Sequence, residues 1–190
     1  LRWRQEAAPD AMTTEIVQEK ESDLQICDAD SDVIFDTERR PLTRQAYAQL
    51  KALALTSAVD FRRLYECIPD PDASVLTSRQ TFYGSVPRTA REMYEHTKSV
   101  NSYYFGEIGV PADNESTIDE CRGKGFALLE AQPDFLSNTV YIGSGDEAWT
   151  VSKVLRRFVW HDRIHAKAMY RMAEKTFGIG TVEDVFRFDR

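Results

Sequence analysis

The stretch "RRFVWHDRIHAKAMYRM", Arg156 to Met172, carries two of the three histidines in this 190-residue chain, His161 and His165, four residues apart in an otherwise apolar stripe. At 3.6 residues per turn, positions four apart share a helix face. The surrounding pattern predicts a helix from about Glu147 to Phe177, with Val151, Val154, Phe158, His161, His165, Ala168 and Met172 turned inward. Gly178 and Gly180 supply its stop. A helix that gives apolar positions to two imidazoles belongs to a helical fold with chemistry in its core, and the rest of the chain is read from there.

Upstream, the same periodicity recurs three times. Thr43 is placed to cap a helix with Tyr47, Leu50, Ala54, Ser57, Phe61, Leu64 and Ile68 on one face, ending before Pro69. Pro87 suits the first turn of a second helix, whose stripe is Ala90, Met93, His96 or Thr97, Val100, Tyr104 and Ile108, stopped by Gly109 and Pro111. A third begins at Ser116 or Thr117 with Ile118, Cys121, Leu128 and Leu129 apolar, although Gly123 and Gly125 each cost about 1 kcal/mol relative to alanine. Four amphipathic helices without an internal repeat predict a mainly α protein, an up-down four-helix bundle over residues 41–190.

Residues 1–40 read as an amino-terminal extension. The segment "EIVQEKESDLQICDADSDVIFD", 15–36, alternates β-branched residues with acidic turns and predicts a small hairpin. Its "DADSD" does not continue as a calcium loop, because Val33 and Arg39 stand where an EF-hand starting at Asp28 needs glycine and glutamate. The start at Leu1 rather than methionine is that expected of a piece of a longer protein or a processed end.

Composition narrows the function classes. Thirty-one acidic against 24 basic residues give a net charge of −7, which opposes binding to nucleic acid or to an anionic membrane. No apolar run is long enough for a membrane span or a signal peptide, so a cytoplasmic location is expected. Cys27, Cys67 and Cys121 are odd in number and widely spaced, as reduced thiols are.

His96, on the apolar side of the second helix, is the third histidine. All three are therefore expected to face the bundle interior. Core histidines held by hydrogen bonds are one explanation. A divalent metal is the other, since one ion satisfies three buried imidazoles at once and bundles place ligands on facing helices. Three histidines leave zinc or nickel open positions for water or substrate. The pair is not a zincin HExxH motif, because Asp162 occupies the glutamate position. By helical spacing, Glu92 could orient His96 from behind, Tyr103 could add a hydroxyl, and Arg157, one turn before His161, could anchor an anionic substrate; a solvated charge at the bundle end is the alternative for Arg157.

The segments "REMYEHTKSVNSYYFGEI" and "EAWTVSKVLRRFVWHDRIHAKAMYRMA", a single histidine on the second helix followed by HxxxH on the last, resemble the DinB-like superfamily, metal-dependent four-helix bundles of the DinB and YfiT type. The resemblance covers roughly residues 41–177 and implies that His96, His161 and His165 are the metal ligands. It further implies a thiol transferase or hydrolase acting on a small molecule with a low-molecular-weight thiol, or else a non-catalytic metal- or ligand-binding stress-response protein. Where the family often carries glutamine, this chain has Ala168. The family's habit, together with Trp149, Trp160, Tyr103 and Tyr104 as apparently surplus aromatics, leads to the expectation of a homodimer.

Overall fold

The computed structural model describes residues 3–4, 13, 15–21, 32–81 and 84–188. Each helix begins where a side chain satisfies an otherwise unpaired amide. The Thr43 hydroxyl accepts from the Ala46 amide at 3.1 Å and starts α1, Arg44–Glu66. Thr89 and Glu92 form a reciprocal capping box that opens α2, Ala90–Gly106. Pro87 thus lies two residues ahead of the cap and outside the expected first turn, because the capping pair fixes the boundary. Thr117 and Glu120 set the start of α3, Ile118–Glu130, and Thr150 caps α4, Val151–Phe177, which ends at Gly178 with φ of 100°.

The last helix starts four residues later than the sequence predicts. Ala148–Trp149 instead forms strand β4, paired antiparallel with β3, Tyr141–Ile142. The Glu147 carboxylate accepts from Lys153 Nζ and from the Asp32 amide rather than entering the helix. A second two-stranded pair, β1 at Gln80–Thr81 and β2 at Gly84–Ser85, lies between α1 and α2. The hairpin expected over 15–36 is not where the strands are: residues 15–21 and 32–35 carry no strand, and 22–31 lie outside the described residues. Residues 36–39 form a 3-10 turn instead, and Arg156 of α4 clamps this segment by donating to Glu38 at 2.6 Å and to Asp32 at 2.7 Å. Lys153 donates to the Asp32 carbonyl beside it.

Strict alternation of helix direction, the simplest up-down bundle, does not hold. Tyr94 meets Ile118, Asn101 meets Arg122, and Phe105 meets Phe126, so α2 and α3 run parallel. Residues 107–117 make this geometry available. Extended, they reach about 35 Å, more than the roughly 25 Å length of α2, and Asn114 hooks this return to the Ser99 carbonyl and the Ser102 hydroxyl. The order is therefore up-down-down-up. Gly125 lies where α3 meets α2, and a Cβ there would intrude on the Phe105 ring. Gly123 faces open space.

Helices α1 and α2 each pack against both α3 and α4. Two apolar clusters fill the bundle. One gathers Phe61, Leu64, Tyr94, Met169 and Tyr170 with Phe186 from the carboxyl-terminal tail. The other gathers Tyr104, Phe105, Phe126, Trp149 and Phe158. Between them lies a polar layer centred on Arg122 and Asp162, whose side chains are both fully buried. Leu50, Leu128 and Ala168, expected inward, are exposed: on α3 and α4 the buried stripe includes Arg122 and Asp162, and on α1 it runs through Tyr47, Ala54, Ala58 and Phe61, leaving Leu50 at its edge. Cys67 and Cys121 are free thiols, and Cys27 lies outside the described residues. Among the described residues no helix is long and apolar enough to cross a membrane.

Candidate metal centre

Helices α2 and α4 run antiparallel, with Tyr104 against Phe158 at one level and His96 against His165 at another. That crossing brings together the three histidines. The ring centroids are 4.3 Å apart for His161 and His165, 4.6 Å for His96 and His165, and 5.2 Å for His96 and His161. One nitrogen from each ring lies within 4.8 Å of the others. With metal–nitrogen bonds of about 2.0 Å, tetrahedral ligand nitrogens stand about 3.3 Å apart, so modest rotation of these side chains closes them on an ion.

Exposure falls from one side of the triad to the other. His96 is exposed, His165 half-buried and His161 buried, so the expectation that all three face the core holds fully only for His161. His96 sits at the edge of the buried face of α2, where Thr97 takes the inward position and hydrogen-bonds the Met93 carbonyl. The site therefore opens beside His96. Burial pushes the His161 imidazolium far below its usual range, reinforced by His165, His96, Arg157 and Arg122; burial and His96 push His165 down to about 3. Both are neutral at neutral pH, the form that donates a lone pair to a metal.

The other residues singled out by helical spacing are placed differently. The Glu92 carboxylate accepts from the Arg88 and Thr89 amides at the start of α2, so it serves the helix cap. Tyr103 packs against Trp149 and Tyr104, away from the triad; Tyr104 is the tyrosine whose ring meets His161, at 6.0 Å. Arg157 is not a solvated charge. Its guanidinium is buried, stacked 4.1 Å from the Trp160 ring, 3.5 Å from the Tyr104 hydroxyl and 3.6 Å from Asp32. It lies behind His161, toward the amino-terminal segment. Of the four aromatics behind the dimer expectation, Trp149 and Tyr104 are fully buried within this chain and Tyr103 is half-buried; Trp160 is exposed.

Asp162, next to His161, is turned to Arg122. Arg122 Nη2 donates to Asp162 Oδ1 at 3.0 Å, Nη1 pairs with Oδ2 and with the Ala54 carbonyl, and Nε donates to Asn101. All four helices meet at this guanidinium. Sequence reading missed it, yet there was a signal: Arg122 falls between Ile118 and Phe126, and Asp162 between Phe158 and Ala166, at four-residue spacing on otherwise buried faces.

Beside the triad lies a cleft of about 370 Å³ between α4, the start of α2 and the segment joining α1 to α2. Comparison of the chain with protein-family models, with curated proteins and with solved structures finds no match.

Proposed function

We propose that this chain is a divalent-metal-binding protein of DinB-like type, in which His96, His161 and His165 hold zinc or nickel and which acts as a metal-dependent thiol transferase or hydrolase on a small molecule. The observation that carries this reading is the convergence of every histidine in the chain at one crossing of α2 and α4. An ion bound there supplies Lewis acidity at the positions that three imidazoles leave open. The protein's own contribution is to keep His161 and His165 neutral by burial, to back His161 with the Tyr104 ring, and to leave His96 exposed on the outer side of the triad. Arg157 adds positive charge behind His161 that opposes its protonation.

Elemental analysis of the purified chain tests the metal. About one zinc or nickel per chain is expected, with sharp loss in each single alanine variant of the triad. Full occupancy after all three are changed would end the reading. A non-catalytic metal holder is the second reading, favoured by one feature: among the described residues the histidine group includes no carboxylate, Asp162 and Glu92 being engaged by Arg122 and by the α2 cap. Turnover of thiol and electrophile pairs that disappears in His96→Ala separates an enzyme from a holder.

A further inference from the structure

The cleft beside the triad is lined by four basic side chains and no acidic one. Arg79 comes from the segment before β1, Arg88 from just ahead of the α2 cap, and Arg171 and Lys175 from α4. In a chain with seven more acidic than basic residues, this is against the general balance. Elsewhere on the bundle many cations are paired, Arg62 with Asp119, Arg63 with Glu183, Arg91 with Asp72 and Lys98 with Glu95, and those without an ion pair among the described residues, such as Arg44 and Lys124, lie on separate helices rather than around one cleft. The four cleft cations make no ion pair with any described residue; Arg88 only donates to the Leu76 carbonyl at 3.4 Å. Arg171 and Lys175 stand one turn apart on the same helix face, an arrangement of like charges that destabilises a helix.

The floor of the cleft is apolar. Met93 and Met172 meet there, with Val86 and Leu76 at the side. Met93 is three residues before His96, and Ala168, also in the lining, is three residues after His165. Residues three apart on a helix are surface neighbours, so the near end of the cleft lies about one helical turn from His96 and His165, which themselves are not in its lining. From His165 to Arg171 along α4 is about 9 Å.

We propose that this cleft binds a small organic anion, its carboxylate or phosphate held among Arg79, Arg88, Arg171 and Lys175, its apolar body on Met93 and Met172, and its far end at the histidine triad. The four cations, which have no ion pair among the described residues, supply the positive charge an anion needs, and the methionine floor adapts to an alkyl or aryl body. A ligand about 10 Å long spans the distance between the two ends. The orientation toward the triad deepens the metal-centre reading and rests on it; the anion site itself does not.

Isothermal titration of the full chain with hexyl phosphate, hexanoate, inorganic phosphate and neutral hexanol tests the proposal. Expected is saturable binding of at least one of the two six-carbon anions, tighter than that of inorganic phosphate, weakened by added salt and absent for hexanol. The tighter of the two anions identifies the head group. Arg171→Gln with Lys175→Gln should weaken binding by about tenfold or more, while Lys51→Gln on the far side of the bundle leaves it unchanged. Arg171 and Lys175 are exposed, so their double variant should melt no lower than the wild type, which circular dichroism checks. Absence of saturation by either anion at millimolar concentration, or equal affinity in the double variant, overturns the proposal. Repeating the titration on chelator-stripped protein, with metal content measured separately, keeps the two readings distinct: anion binding in protein that never takes up metal upholds the cleft and removes the metal centre, whereas metal uptake without anion binding does the reverse.

Discussion

Removing Asp162 should cost the fold more than removing any charged group on the surface. Asp162 and Arg122 are both completely buried, and the guanidinium lies 4.1 Å over the Phe158 ring with Asn101 and the Ala54 carbonyl as its other partners. In Asp162→Ala those neutral acceptors remain, but the positive charge loses its counterion in the bundle centre. Breaking a buried pair from one side costs about 3–5 kcal/mol. For a chain of this size each kcal/mol lowers the melting temperature by about 2–4 °C, so a drop of about 6–20 °C is expected. Urea unfolding at constant m-value gives the free energy directly. Replacing both partners, Arg122→Met with Asp162→Leu, removes the stranded charge and should recover most of the loss, since apolar replacement of a buried pair is often neutral or stabilising. A cost below about 1 kcal/mol for Asp162→Ala, or a double variant no more stable than the single one, would refute the claim that this pair is a desolvated ion pair joining four helices.

Three further outcomes follow from the geometry. Gly125→Ala should destabilise, because its new methyl meets the Phe105 ring, whereas Gly123→Ala, in open space, should stabilise by up to about 1 kcal/mol, both read by thermal unfolding. The metal-free protein should lose stability as pH falls from about 6.5 toward about 3: the depressed folded-state values of His161 and His165 mean that the unfolded chain binds protons first, so their contribution is intact above the ordinary histidine range and lost on acidification. A pH series of urea midpoints should show a shallower fall in His165→Gln, and an unchanged slope would contradict it. Thr89→Ala removes the hydroxyl that opens α2 and should cost about 1 kcal/mol by chemical unfolding.

Much of the helical layout was legible from residue order. Thr43 announces α1 because its side-chain oxygen accepts from the Ala46 amide, and α3 opens at Thr117 with the Glu120 carboxylate accepting from the Thr117 amide, interactions confined to a few neighbouring residues. The period of 3.6 likewise placed His161 and His165 on one face and assigned His96 to the helix that crosses them. Failures occurred where the outcome depends on groups distant in sequence. Glu147 and Trp149 read as the start of α4, but Lys153 and Asp32 hold Glu147, and the pairing of Ala148–Trp149 with Tyr141–Ile142 takes those residues into a strand.

The sequence by itself determined the presence of the four helices, the starts of α1 at Thr43 and α3 at Thr117, and the spacing of the histidine pair, since these depend on contacts within about one turn. The tertiary structure decided the direction of α3, the burial of Arg157, the turn of Glu92 toward its cap and the union of Arg122 with Asp162. It also gathered Arg79, Arg88, Arg171 and Lys175 around one cleft across nearly a hundred residues of chain. No local rule brings such residues together, because their meeting is fixed by how the helices pack and by the length of the loop that returns α3 parallel to α2.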